Sequence, residues 1–96
     1  MFKDLDPVLH AQLRLAVMSL LIGIEQADFT FLKEKTQSTA GNLSVQLTKL
    51  EEAGYITIEK TYDHKRPRTI CRVTPAGIAA FEAYVTALKT YLGGTS

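Results

Sequence analysis

The chain has a single cysteine, no tryptophan and no long hydrophobic run among its 96 residues. One cysteine, Cys71, excludes an intramolecular disulfide and fits a reducing compartment. It lies in a strand-like run, so we interpret it as a small buried hydrophobic residue. The longest apolar stretch, Leu15 to Ile24, is broken by Ser19 and Gly23 and is far shorter than the ~20 residues of a membrane span. These features predict a cytoplasmic protein.

An excess of charge of one sign is also lacking, since 11 Lys and Arg face 10 Asp and Glu, for a formal net charge of +1. That balance does not by itself indicate a nucleic-acid binder. The distribution is more informative, because a local field steers a polyanion even when the net charge is small. One short segment concentrates basic residues around a single acid, Asp63: Lys60, Lys65, Arg66, Arg68 and Arg72.

Arrangements typical of catalysis are missing as well. The sequence has no plausible Ser-His-Asp or Cys-His pattern and no phosphate-binding glycine loop. Glu51 and Glu52 are adjacent on a predicted helix and point about 100° apart, which suits a solvated rim. His10 and His64 have no partner at helical spacing, so we predict no metal site and no cofactor. The sequence indicates a protein that is not an enzyme.

The length predicts one domain, over residues 1–96. Asp6 as N-cap with Pro7 at the first helical position predicts where the first helix begins, and Thr74 with Pro75 does the same for the last helix. The end, Gly93 to Ser96, resembles a loose tail. The expected elements are a first helix at about 7–23, a helix-turn-helix at about 28–53, a β-hairpin wing at about 55–73 and a last helix at about 75–92.

The middle of the chain reads as a helix-turn-helix followed by a hairpin. Asp28 is a good N-cap for a short second helix, a turn follows at 36–38, and Thr39 caps the third helix. Gly54 suits the left-handed position that ends this helix in a Schellman motif with Tyr55. Two alternating strands then follow, joined by the basic tip at 63–68.

The third helix is predicted to read DNA. Leu43, Leu47 and Leu50 share its inner face, so a polar face points to solvent, where it fits a major groove while the basic tip reaches phosphates. The side-chain amides of Asn42 and Gln46 suit the edge of adenine. The predicted DNA contacts are Thr39, Gly41, Asn42, Ser44, Val45, Gln46, Thr48 and Lys49 on the helix, and Lys65, Arg66 and Arg68 on the wing.

Both flanking helices carry more apolar surface than one small core covers. The first helix has two apolar stripes, and the last has a heptad-like stripe beside one of alanine and tyrosine. Bare faces of this size are unusual in monomers, so we predict a homodimer through these two helices. The expected interface residues are Leu15, Met18, Ile22, Tyr84, Val85, Leu88 and Tyr91, and the spacing leaves open which stripe of the last helix forms the interface.

The order of elements resembles that of small winged helix-turn-helix transcriptional regulators related to the MarR and ArsR families. The segments that carry the resemblance are Asp28–Lys33, Gly41–Ser44, Leu50–Ile56, Arg66–Thr69 and Val73–Gly77. It implies an α+β, mainly helical fold with a three-helix core, a two-stranded β-hairpin wing and a C-terminal dimerisation helix. It also implies a homodimeric regulator of transcription that binds an inverted-repeat operator in double-stranded DNA.

Two departures from these families limit what is carried over. The additional helices of full-length MarR-type proteins are missing, so no drug pocket is implied, and any small-molecule effector is unknown. The cysteine pairs and acid-histidine clusters of metal-sensing ArsR-type proteins are missing too. A second hypothesis is a winged-helix module used only for protein–protein assembly, because fold does not fix function. The basic wing distinguishes the two, since an assembly module does not need it.

Overall fold

Residues 2–93 are described by the computed structural model, and within them the chain forms four helices and a three-stranded antiparallel sheet. The elements are α1 Gln12–Ile24, β1 Gln26–Asp28, α2 Phe29–Thr36, α3 Ala40–Glu52, β2 Ile56–Asp63, β3 Arg66–Val73 and α4 Pro75–Tyr91. The α+β, mainly helical winged-helix fold predicted from the sequence is confirmed. Met1 and residues 94–96, which include most of the predicted tail, lie outside the described range.

The first helix begins later than predicted, at Gln12 instead of about residue 7. The Asp6 side chain does cap a turn, in which His10 N donates to Asp6 O over 2.8 Å. Ala11 then adopts an extended backbone (φ −151°, ψ 129°) and separates this turn from α1. Leu9 in the turn is fully buried. The local capping signal was therefore correct for one turn, while burial of Leu9 determined how the segment packs.

The other predicted helix starts are confirmed by their capping hydrogen bonds. Asp28, Thr39 and Thr74 each accept a bond from the backbone N–H three residues later, over 2.8, 3.1 and 3.0 Å. Pro75 occupies the start of α4, where a missing N–H has no intrahelical partner to lose. Each cap satisfies one of the N–H groups that a helix start leaves free.

The end of α3 is joined to the start of α4. Gly54 has φ 81° and donates to Glu51 O over 2.9 Å, and Tyr55 N donates to Leu50 O over 3.0 Å, which is the predicted Schellman ending. Thr74 then binds this turn twice, from its N to Tyr55 O at 3.0 Å and from its hydroxyl to Gly54 O at 2.7 Å. The end of α3 and the start of α4 are thus held by one hydrogen-bonded turn.

The N-terminal segment before α1 packs across this junction and along α4. The Tyr55 hydroxyl donates to the Asp6 carboxylate, and this bond, together with burial, raises the pKa of Tyr55 to about 12. Phe2 stacks on Tyr91 with ring centroids 4.8 Å apart, and Lys3 N donates to the side chain of a threonine in the last turn of α4 over 3.2 Å. The segment therefore belongs to the folded domain.

The sheet has the order β1-β3-β2, so the predicted two-stranded wing gains a third strand at its base. Strand β1 pairs with β3 from Gln26 opposite Arg72 to Asp28 opposite Ile70. Strands β2 and β3 are joined by His64 and Lys65 alone, with φ 49° and 69°, as in type I′ hairpin turns. The tip is therefore shorter than predicted, because residues 66–68 already pair with β2.

One core lies where α1, α2, α3 and the base of the sheet meet. Its fully buried side chains are Leu9, Val17, Met18, Leu21, Leu32, Leu43, Leu50, Ile56 and Cys71. Cys71 is buried as predicted, and desolvation raises the pKa of its thiol to about 11. None of the helices within residues 2–93 is long and apolar enough to cross a membrane.

At Gly77, α4 lies close to the backbone of Tyr55 and to the side chain of Met18. A Cβ at this position would lie 2.2 Å from Tyr55 O and 3.1 Å from Met18 Cε. Because a backbone oxygen cannot easily move aside, we expect Gly77→Ala to lower the free energy of unfolding by roughly 1–3 kcal/mol or more, measured by urea denaturation.

Gly23→Ala is the matched control for this substitution. Nothing lies within 4 Å of its added Cβ, and it lies inside α1, so alanine should leave stability equal or raise it by up to ~1 kcal/mol. A Gly77→Ala variant as stable as the parent would contradict the close approach of α4 to Tyr55.

Candidate nucleic-acid interface

The exposed face of α3 carries the residues predicted to contact DNA. Leu43, Leu47 and Leu50 are buried, with at most 2% exposed, and they attach the helix to the core. The opposite face points to solvent, and Val45 is 51% exposed there. The predicted contact residues that are exposed on α3 or at its cap are Thr39, Gly41, Asn42, Ser44, Val45, Thr48 and Lys49.

The two threonines of this face differ in what they can offer a phosphate. Thr39 accepts a hydrogen bond from Asn42 N, so its own hydroxyl proton stays available to donate. Thr48 instead donates its proton to Ser44 O over 3.0 Å. It must break that bond before it can donate to a phosphate oxygen. Thr39 is therefore the better prepared donor.

Gln46 is half-buried and lies between two polar partners. Its Nε2 donates to Asn42 Oδ1 over 3.1 Å, and its Oε1 accepts from a guanidinium N–H of Arg14 on α1. Arg14 also donates to Val8 O over 2.6 Å and to Pro7 O over 3.4 Å. The sequence predicted that Gln46 binds adenine through both atoms of its amide. That contact needs Oε1 as an acceptor, and Oε1 already accepts a hydrogen bond from Arg14.

Sequence reasoning did not include Arg14 among the site residues. Its contact with Gln46 joins positions 32 residues apart, and no local pattern reports such a separation. One signal was present, because Arg14 is the sole charged residue in the sequence of α1. A lone charge within an apolar helix generally needs a specific partner, and here its partners are neutral oxygen atoms.

The wing extends from the same side of the molecule. Lys65 and Arg66 are exposed at and next to the turn. Arg68 was predicted as a phosphate contact, and the structure shows it in an ion pair with Asp28, with Nη2 and Oδ2 3.2 Å apart. Its side chain stays 47% exposed. Lys65 and Arg66 therefore supply the tip's positive charge more directly than Arg68 does.

A groove of about 370 Å³ separates α3 from the wing. It is lined by Phe29, Ser44, Leu47, Thr48, Ile58, Lys60 and Thr69. Lys60 and Thr69 lie directly opposite each other on β2 and β3, and they were not among the predicted site residues. Strand alternation contained the signal, because Lys60 is two residues from Ile58 and shares its face toward α3.

Two residues predicted at a dimer interface are core residues instead. Met18 is fully buried and Tyr84 is 5% exposed, so neither is available to a second subunit. The Tyr84 hydroxyl also forms a hydrogen bond with His10 Nδ1, at 3.0 Å. Both predictions were wrong because the apolar stripes of α1 and α4 were assigned without knowing which one faces the core.

The heptad-like stripe of α4 points outward in part, because Phe81 and Leu88 of this stripe are partly buried against the core. Its members Ile78, Val85 and Leu92 are 39%, 37% and 73% exposed. Of the other predicted interface positions, Tyr91 is 45% exposed, while Leu15 and Leu88 are partly buried against the core and Ile22 is half-buried. The described part of the chain therefore has an uncovered apolar stripe along its last helix.

Comparison with known proteins relates this arrangement to a family. The model of the family described as a winged helix DNA-binding domain matches residues 13–92. An uncharacterized protein from Methanocaldococcus jannaschii is 37% identical over 78 residues, which cover 81% of this chain and 85% of that protein.

Solved structures show the same likeness. The transcriptional regulator homologue protein from Pyrococcus horikoshii OT3 superposes with a TM-score of 0.84 at 28% identity, over 91% of this chain and 86% of that one. A MepR-like protein complexed with pseudoligands gives a TM-score of 0.73 at 18% identity. This chain matches over 90% of its own length and 63% of that structure, and at such identity the likeness concerns the fold.

Proposed function

The chain belongs to the winged helix DNA-binding domain family, and we propose that it is a sequence-specific DNA-binding regulator of transcription that acts as a homodimer on an inverted repeat. The resemblance to winged-helix transcriptional regulators is supported by the family match and by the likeness to a transcriptional regulator homologue at 28% identity. The observation that carries the proposal is one groove lined by both α3 and the wing, with polar groups on each side.

The proposed contacts divide by element. The exposed face of α3 enters the major groove, where Asn42, Val45 and Gln46 reach base edges. Thr39 and the free N–H groups at the start of α3 suit a phosphate. Lys65 and Arg66 extend along the neighbouring backbone, and Lys60 lies between the two elements over the groove. The remaining proposed contacts are Gly41, Ser44, Thr48, Lys49, Arg68 and Thr69.

The exposed stripe of α4 supports a second copy of the chain as partner. A twofold contact between two such stripes is self-complementary and covers the apolar surface that one domain leaves bare. Such a dimer places two α3 helices about 34 Å apart, one turn of duplex DNA, when the site is an inverted repeat. The proposed interface residues are Leu15, Ile22, Ile78, Val85, Leu88, Tyr91 and Leu92.

A second candidate function is a winged-helix module for protein assembly, favoured by the formal net charge of +1. Selection of binding sites from random duplex DNA distinguishes the two. A regulator should enrich one sequence motif, whereas an assembly module should enrich none. A parent protein that retains no duplex above a mock selection would overturn the DNA-binding proposal.

Substitutions on α3 should change which sequence is selected. We expect Asn42→Ala or Gln46→Ala to cost about 1–3 kcal/mol of discrimination at one base position, because a good amide–base contact has that value. The measurement compares the selected motifs of variant and parent. Gln12→Ala on α1 is the control and should leave the motif unchanged. Unchanged motifs with uniformly weaker binding would reassign both residues to the DNA backbone.

A further inference from the structure

We propose that Arg14 determines which bases the recognition helix prefers, by fixing the orientation of the Gln46 amide. The inference rests on the proposed function and adds a positioning residue outside α3. A guanidinium group has N–H donors and no acceptor, so only the oxygen of Gln46 can face it. The Gln46 amide is therefore held with Oε1 toward α1 and Nε2 toward the outer face of α3.

The fixed orientation of the Gln46 amide also determines the orientation of the Asn42 amide. Gln46 Nε2 donates to Asn42 Oδ1 over 3.1 Å, so the oxygen of the second amide is turned toward the first. In the described part of the chain, the second N–H of Gln46 and the amide N–H groups of Asn42 donate to no other residue. The pair thus presents neighbouring donors and has its acceptors engaged.

Neighbouring donors match one base edge better than another. In the major groove guanine offers two acceptors, N7 and O6, whereas adenine offers N7 beside an amino group that needs an acceptor. A side-chain amide that is free to rotate can donate to adenine N7 and accept from the adenine amino group. With Arg14 in place, the pair should prefer guanine where an unrestrained glutamine would prefer adenine.

Arg14 is well placed for this role because other hydrogen bonds fix the position of its guanidinium group. Besides Gln46 it donates to the carbonyls of Val8 and Pro7, in the turn before α1. Among the carboxylates whose side chains the structure describes, none forms an ion pair with Arg14 that would draw the guanidinium away. It borders a cleft of about 470 Å³ that also includes Asn42 and Gln46. The arginine therefore links the turn before α1 to the recognition face.

The test is selection from random duplex DNA with the parent, Arg14→Met and Gln12→Met. Methionine keeps an unbranched apolar stem and the helix preference of the side chain but is shorter and has no hydrogen-bond donors. At the base assigned to Gln46 by the Gln46→Ala variant, the parent should favour guanine over adenine by about 5- to 150-fold, the range of one good contact. In Arg14→Met that ratio should fall to about one or invert. Gln12→Met changes an exposed residue of the same cleft and should keep the parental ratio.

If circular dichroism shows that Arg14→Met is unfolded, Arg14→Lys tests the positioning role of Arg14 instead. A lysine keeps the charge but has one compact donor group that cannot span the acceptors of a guanidinium fork. It should lower the guanine preference and shift the side-chain amide resonances of Gln46 and Asn42 in NMR spectra recorded without DNA. A purely structural role would lower the melting temperature and leave both readouts as in the parent.

The outcomes separate this inference from the function on which it rests. A parent that selects a clear motif, with the same base ratio in the folded Arg14 variant, overturns the role of Arg14 alone. Unshifted Gln46 and Asn42 amide resonances overturn it as well. A parent that binds no duplex overturns both proposals.

Discussion

Affinity for duplex DNA is expected to fall about 10³–10⁵-fold when the salt concentration rises from about 50 to 200 mM, given about 6–10 phosphate contacts per dimer. Each neutralised phosphate releases counterions, so the slope of log affinity against log salt counts these contacts. Replacing Lys65, Arg66 and Arg68 together by alanine should flatten that slope and weaken all sequences alike. Fluorescence anisotropy with labelled duplexes over a salt series measures it.

The structure sharpens this experiment, because Arg68 is already paired with Asp28. Most of the change in slope should therefore come from the double variant Lys65→Ala/Arg66→Ala. Its charge-matched control is Lys3→Ala/Lys89→Ala, which removes two exposed charges from the region of α4. The control should keep the parental slope. A triple wing variant with an unchanged slope would show that the wing is not the electrostatic contact.

Val85→Asp is expected to convert the proposed dimer into monomers. The aspartate would place a charge in the exposed stripe of α4, where burial against a second copy leaves it unpaired. Affinity for an inverted repeat should then fall by about 10²–10⁴-fold, since linking two binding units raises the effective concentration of the second. Light scattering at micromolar concentration measures the mass, and anisotropy measures the affinity.

Three further substitutions test the assignment of faces. Thr86→Asp, one residue along but about 100° around α4, should leave both mass and affinity unchanged. Tyr91→Asp lies on a position that is 45% exposed and should weaken the dimer less than Val85→Asp. Tyr84→Asp should unfold the domain, because Tyr84 is 5% exposed. A monomeric parent with full affinity for a single half-site would contradict the dimer.

Much of the fold was predictable because helix starts and ends are determined by nearby residues. Asp28, Thr39 and Thr74 each act on an N–H three residues away, and Gly54 ends α3 through bonds within one turn. The predicted start of α1 was wrong because it does not depend on nearby residues alone. Asp6 gives a correct local signal, but the chain breaks the helix at Ala11.

The other features that the sequence did not predict depend on contacts between residues far apart in the chain. Strand β1 is three residues long and has no strand-like alternation, so it is defined by its partner β3, whose first residue comes 40 positions after the first residue of β1. The two stripes of α4 are both apolar, and spacing alone could not tell that Tyr84 faces the core and Val85 faces outward. The polar face of α3 was predictable from Leu43, Leu47 and Leu50. The hydrogen bond from Arg14 to Gln46 was not predictable.

The position of Asp28 has a consequence for how DNA must adapt to this protein. This residue ends β1, caps α2 with a 2.8 Å bond and pairs with Arg68 of the wing. Asp28 therefore connects the helix-turn-helix to the wing, and such a connection reduces the conformational entropy that is lost on binding. A rigid protein surface leaves the bending to the duplex. Flexible base steps beneath the wing should then favour binding at positions that no side chain touches.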